Sequence, residues 1–124
     1  VPASSKHQSH VDPELERNLD ELKTIWSKFV DEPELAATWL KALKGEVELS
    51  KNEKNQFRYL FYTHLFTYQQ QYLRALELGD KYHAQLTLSS TNQLVSMPGA
   101  KRIFKQVYPS LREAFRSVVE VVED

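Results

Sequence analysis

Apolar positions recur along most of this chain at spacings of three and four, the signature of helices with one buried face. Asp12-Pro13-Glu14 reads as a helix start, with an N-cap Asp, Pro at the first helical position and acid in the first turn. Leu15, Leu19, Leu22, Trp26 and Phe29 then form a stripe, widened by Ile25 and Val30, which predicts a helix to about Asp31. Pro33 restarts the chain. Leu35, Ala36, Trp39, Leu40 and Leu43 predict a second helix with Lys41 and Lys44 near its end and Gly45 as a left-handed cap. Ser50-Lys51-Asn52-Glu53 is a capping box, and the stripe behind it is the longest in the chain: Phe57, Leu60, Phe61, His64, Leu65, Tyr68, Tyr72, Ala75 and Leu76, stopped at Gly79. A fourth helix from about Lys81 is expected to bury Tyr82, His83, Leu86, Leu94 and Val95, with a weak middle where Thr87 to Thr91 is rich in hydroxyls. Beyond Met97-Pro98-Gly99-Ala100, a short helix carries Ile103, Phe104 and Val107 and stops before Pro109. Ser110 is expected to cap a last helix with Leu111, Phe115, Val118, Val119 and Val122 on one face.

The fold class that follows is all-α: an antiparallel helical bundle of four main helices plus short extra helices. Residues 1–11 lack periodicity and read as a flexible linker, leaving 12–124 as a single helical domain. No apolar run approaches the ~20 residues that cross a bilayer. The size of 124 residues suffices for a core without disulfide or metal staples. With no Cys, thiol nucleophiles, disulfides, iron–sulfur clusters and Cys-ligated zinc are excluded. The net charge of −1 gives no global field that would select nucleic acid or a membrane. Charge is nevertheless uneven. Acids dominate from Asp12 to Glu34, whereas Lys101, Arg102, Lys105, Arg112 and Arg116 dominate from Lys101 to Arg116. Lys101/Lys105 and Arg112/Arg116 are each one helical turn apart, which fits weak contact with acidic lipid headgroups or an acidic protein, or two solvated faces. Aromatic interleaving is too sparse for nucleic-acid binding, and none is expected.

Candidate chemistry is thin. A di-metal helical site needs repeated Glu-x-x-His, and the nearest match is a single Asp80-Lys81-Tyr82-His83, so no metal or other cofactor is expected. His7 and His10 could pick up a transition metal adventitiously. Three glycines far apart allow no phosphate loop or nucleophile elbow, and no catalytic residue is assigned. Glu46 and Glu48 read as loop acids, and Gln69-Gln70-Gln71 as helix surface. His64, inside an apolar stripe one turn from Tyr68, is the most notable polar residue. It is read either as a satisfied core imidazole or, with Tyr68 and Trp39, as the wall of a small-molecule pocket. Tyr59 and Tyr62 lie off the main stripe and point to a protein contact, either with a partner or by self-association. With Lys101, Arg102 and Lys105 they make the candidate interaction surface.

Trp39-Leu40, the aromatic-rich stretch Phe57 to Gly79, Pro98-Gly99-Ala100-Lys101-Arg102-Ile103-Phe104 and Phe115-Arg116-Ser117-Val118 together resemble a family of bacterial proteins of unassigned activity. In that family a short membrane anchor precedes a helical domain, and the likeness runs over roughly residues 35 to 120. The chain departs from the pattern near Ile103 and Phe104, and after Gly79, where the family carries Trp. The resemblance implies a domain tethered to the bacterial cytoplasmic membrane through a segment missing from this chain, with residues 1–11 as its juxtamembrane end.

Overall fold

The computed structural model describes residues 12–119, and those residues are all-helical, with no strand among them. Six α-helices follow in order: α1 Pro13–Asp31, α2 Pro33–Lys44, α3 Lys51–Glu77, α4 Lys81–Val95, α5 Lys101–Val107 and α6 Glu113–Arg116. A 3-10 turn, Tyr108–Ser110, separates the last two around Pro109. Residues 1–11, with His7, His10 and the expected linker, and Val122 of the expected last stripe lie outside the described residues.

The local signals that start and stop these helices act as their chemistry dictates. The Asp12 carboxylate accepts from the N–H groups of Glu14 and Leu15, both at 3.1 Å, satisfying two donors that an open helix end leaves orphaned. At the head of α3 the Ser50 hydroxyl accepts from the Glu53 N–H (3.1 Å) while the Glu53 carboxylate accepts from the Ser50 N–H (2.9 Å). The second oxygen of Glu53 meets Lys41 at 2.6 Å, so the same cap fastens α3 to α2. Gly45 ends α2 at φ 68° and Gly79 ends α3 at φ 70°, a backbone state that glycine enters without a Cβ penalty. With 27 residues, α3 is a rod of about 40 Å, and α1, α2, α4 and α6 all pack on it.

Packing then decides which faces are buried, and here several expectations are corrected. In α1 the buried residues are Leu15, Asn18, Leu22 and Ile25, while Leu19 and Trp26 are 39 % and 42 % exposed and Val30 is more exposed still. The apolar stripe is wider than one helix contact covers. Asp12 and Glu14 bond to Arg74 of α3, and Glu14 lies on the same side of α1 as Asn18, so that side turns inward. In α2, Leu40 is exposed and Ala42 is buried in its place. The largest correction is α4. Tyr82, His83 and Leu86 face solvent, and the buried face is Ala84, Thr87, Thr91 and Val95. The hydroxyl-rich middle is regular helix, because the Thr91 hydroxyl donates to the Thr87 carbonyl at 2.8 Å and needs no partner outside its own helix. Gln69 and Gln71, read as surface, are buried in α3, whereas Leu76 is exposed. The last helix is a single turn, α6, headed by Arg112 rather than Ser110; Leu111, Phe115 and Val119 are buried and Val118 is not.

One close backbone approach joins the two halves of the chain. The Gly99 N–H donates to the Leu43 carbonyl at 2.8 Å, and a Cβ on Gly99 would lie 1.6 Å from the Ala42 carbonyl oxygen. No side chain fits there, so glycine is required by the contact rather than by φ. No helix among the described residues is long and apolar enough to cross a membrane.

Candidate functional site

The sequence-derived pocket residues do come together. His64 is buried in α3 with its ring stacked on Trp39 of α2 (centroids 4.9 Å apart) and Phe29 of α1 (6.4 Å), and Tyr68 stands 6.2 Å away. Phe57 closes the other side of Trp39 at 5.4 Å. His64 Nδ1 lies 2.8 Å from the Leu60 carbonyl oxygen. A carbonyl only accepts, so Nδ1 carries the proton and donates. Burial pushes the imidazole pKa below its ordinary value, and the Leu60 carbonyl pulls back against that shift. Burial likewise raises the Tyr68 phenol. Among the described residues no carboxylate bonds the His64 ring to orient it as a base, and none of the grooves described below is lined by Trp39, His64 or Tyr68. The rings fill the space between α1, α2 and α3 themselves.

The polar cluster at the other end of α3 was not foreseen. Arg74 reaches Asp12 at 2.7 Å, Glu14 at 3.1 Å and Glu77 at 3.1 Å. The Arg74 guanidinium, with help from the two helix N–H groups, holds the Asp12 carboxyl down at about 2. Two acids at the head of α1, Asp12 and Glu14, therefore pair with α3. Sequence spacing could not have shown this, since 62 residues separate the partners. The Asp80–His83 pair, 2.6 Å apart, is a surface cap in which Asp80 also accepts the His83 N–H. No group of three or more His, Asp or Glu among the described residues could hold a metal ion.

The candidate interaction residues divide between two surfaces. Tyr59, 69 % exposed, and the half-buried Tyr62 line a groove of about 350 Å3 with Phe66, Thr63, Thr67, Gln70 and Glu21 of α1. The Tyr62 and Phe66 rings meet edge-on at 6.2 Å. Farther along the same outward side of α3 come the half-buried Leu73 and the exposed Leu76. Tyr59, Tyr62, Phe66, Leu73 and Leu76 thus repeat in steps of three, four, seven and three, a coiled-coil spacing. The sequence pattern set Tyr59 and Tyr62 off the core stripe but put Leu76 on it, so the full second stripe emerges only from the structure. Arg102 instead lines a separate groove of about 560 Å3 between the α2–α3 loop, α3 and α5. Lys101 is half-buried and Lys105 exposed on another side of α5, and neither lines that groove. Glu46 and Glu48 are exposed loop acids.

Sequence reasoning also missed three buried amides. Gln69 accepts the Arg112 N–H at 2.7 Å, which positions the head of α6 on α3. Asn18 Nδ2 and Gln71 Oε1 are buried on α1 and α3 without a hydrogen-bond partner among the described residues. No family model, curated protein or solved structure matches this chain.

Proposed function

We propose that this chain is a non-enzymatic helical interaction domain belonging to a membrane-anchored bacterial protein, working through a protein partner or self-association. The observation that carries the reading is the outward side of α3, where Tyr59 and Leu76 are exposed and the half-buried Tyr62, Phe66 and Leu73 between them pack on the core while keeping one edge at the surface. Tyrosine suits such a surface because its ring supplies contact area and its hydroxyl stays solvated until a partner arrives. The tether rests on the sequence resemblance alone. In this reading the four long helices form an antiparallel bundle. Two features support it: Asp12 and Phe29 of α1 meet Arg74 and His64 of α3 in reversed order, and the tight turn at Gly79 sends α4 back along α3.

The test is site-specific photo-crosslinking in cells, with a benzophenone amino acid at position 59 and, as control, at exposed Ser90 on α4. A discrete adduct at 59 and none at 90 is the expected result. Equal labelling at both positions, or none at 59, defeats the reading. Native mass spectrometry of the purified chain runs beside it. Extra mass lost on denaturation would instead favour the small-molecule reading at Trp39, His64 and Tyr68.

A further inference from the structure

The 560 Å3 groove beside α5 shares no residue with the outward side of α3 and combines three properties. Its floor closes over the buried Ala42, Phe57 and Ile103, and its accessible apolar surface is the exposed Val47 and half-buried Leu49 at the edge. Its walls carry Lys54 and Arg58 from α3 and Arg102 from α5 against a single carboxylate, Glu48. None of these three cations has an ion pair among the described residues. Its third side is the loop from Val47 to Leu49, whose main-chain N–H and C=O groups make no hydrogen bond among the described residues. The groove is also preformed. The Gly99–Leu43 hydrogen bond and the contact of Gly99 with the Ala42 carbonyl lock the end of α2 to the entry of α5.

We propose that this groove binds an extended acidic peptide segment of a partner protein. Charge complementarity sets the sign of the occupant, because an unpaired cation gains most from an anion brought into a partly dry cleft. Val47 and Leu49 at the edge favour side chains that leave water, and the unpaired loop backbone offers an extended main chain its hydrogen bonds. A lipid headgroup would meet the same cations, but it would use neither the Val47 and Leu49 side chains nor the main-chain groups of the loop. Nucleic acid lacks an exposed aromatic here on which bases could stack, since Phe57 is buried.

The probe is a fluorescein-labelled hexapeptide alternating glutamate and leucine, with an alternating lysine–leucine peptide as control, followed by fluorescence anisotropy on the intact chain. The glutamate peptide is expected to saturate and to weaken as salt rises. The exposed double reversal Arg58→Glu with Arg102→Glu should cost about tenfold or more in affinity. Far-UV circular dichroism checks that this variant keeps its helices. Tyr59→Ser should leave peptide binding unchanged, which separates this groove from the α3 face: binding can fail here while crosslinking at 59 succeeds, and the reverse. Equal binding of the lysine peptide, indifference to the charge reversal, or no saturation by about 1 mM overturns the proposal. So does binding confined to phosphatidylglycerol vesicles.

Discussion

Around His64, α3 meets α1 and α2 through large rings: Phe29, Trp39 and Phe57 stack or tilt against one another and the imidazole within 6.4 Å. Against α4 the same helix meets Ala84, Thr87, Thr91 and Val95, all small or β-branched, and Thr91 has no exposed surface. The first contact fills space with volume, whereas the second brings helices close by having little volume to place. Both contacts belong to the buried core, with Phe29 half-buried at the edge of the first. The contrast teaches that burial in this molecule follows from fit between faces and not from the hydropathy of individual residues. Threonine is admitted to a core because its hydroxyl is satisfied by the preceding turn.

That contrast can be broken by substitution. Trp39→Ala removes the ring that bridges Phe29, Phe57 and His64, and is expected to cost about 3–5 kcal/mol of unfolding free energy, measured by urea titration. A loss below about 1 kcal/mol would mean the aromatic end relaxes freely and is not rigidly packed. Thr91→Leu tests the other side by enlargement. It should cost about 1–3 kcal/mol, since two helices must move apart. A neutral or stabilising result would show slack between α3 and α4.

The smallest expected effect concerns protons. The His64 pKa is lowered in the folded chain, so below the unfolded value of about 6.5 the unfolded chain takes up a proton that the folded chain resists. The stability from His64 is therefore complete above that pH and declines as pH falls below it. Asp12, held at about 2 against a usual 3.8, adds a second decline as pH falls below about 4. Urea midpoints followed from pH 7.5 to 3 should show both, and His64→Leu should remove the first without touching the second. A single decline below pH 4 in the unmodified chain would place the imidazole in contact with water.

Most helix ends were read correctly from local signals, Ser110 being the exception because it lies in the 3-10 turn around Pro109. Asp12-Pro13, Ser50 with Glu53, Gly45, Gly79 and Asp80 each act within a turn of their own position, and each stands where the residue types placed it. The face from Phe57 to Ala75 was read correctly because α3 lies at the centre, and its continuous stripe is buried against several neighbours at once. The gathering of Trp39, His64 and Tyr68 was legible because all three stood on apolar stripes. The division of Tyr59 and Tyr62 from Arg102 was not, since it depends on where α5 returns to the surface of α3.

What the sequence alone determined is the set of helices, most of their caps and the core line of α3 with Tyr59 and Tyr62 set off from it, because capping and periodicity are short-range properties of the backbone. What only the tertiary structure decided is which of several apolar or small faces goes inside. α1 turned Asn18 inward with Leu22 and Ile25 and left Trp26 outside, and its head is tied to α3 through Asp12, Glu14 and Arg74. α4 buried its threonines because a small face lets two helices approach more closely than a face of Tyr82 and Leu86 would. Such choices depend on the shape and charge of a neighbour far away in the chain, which no local pattern contains.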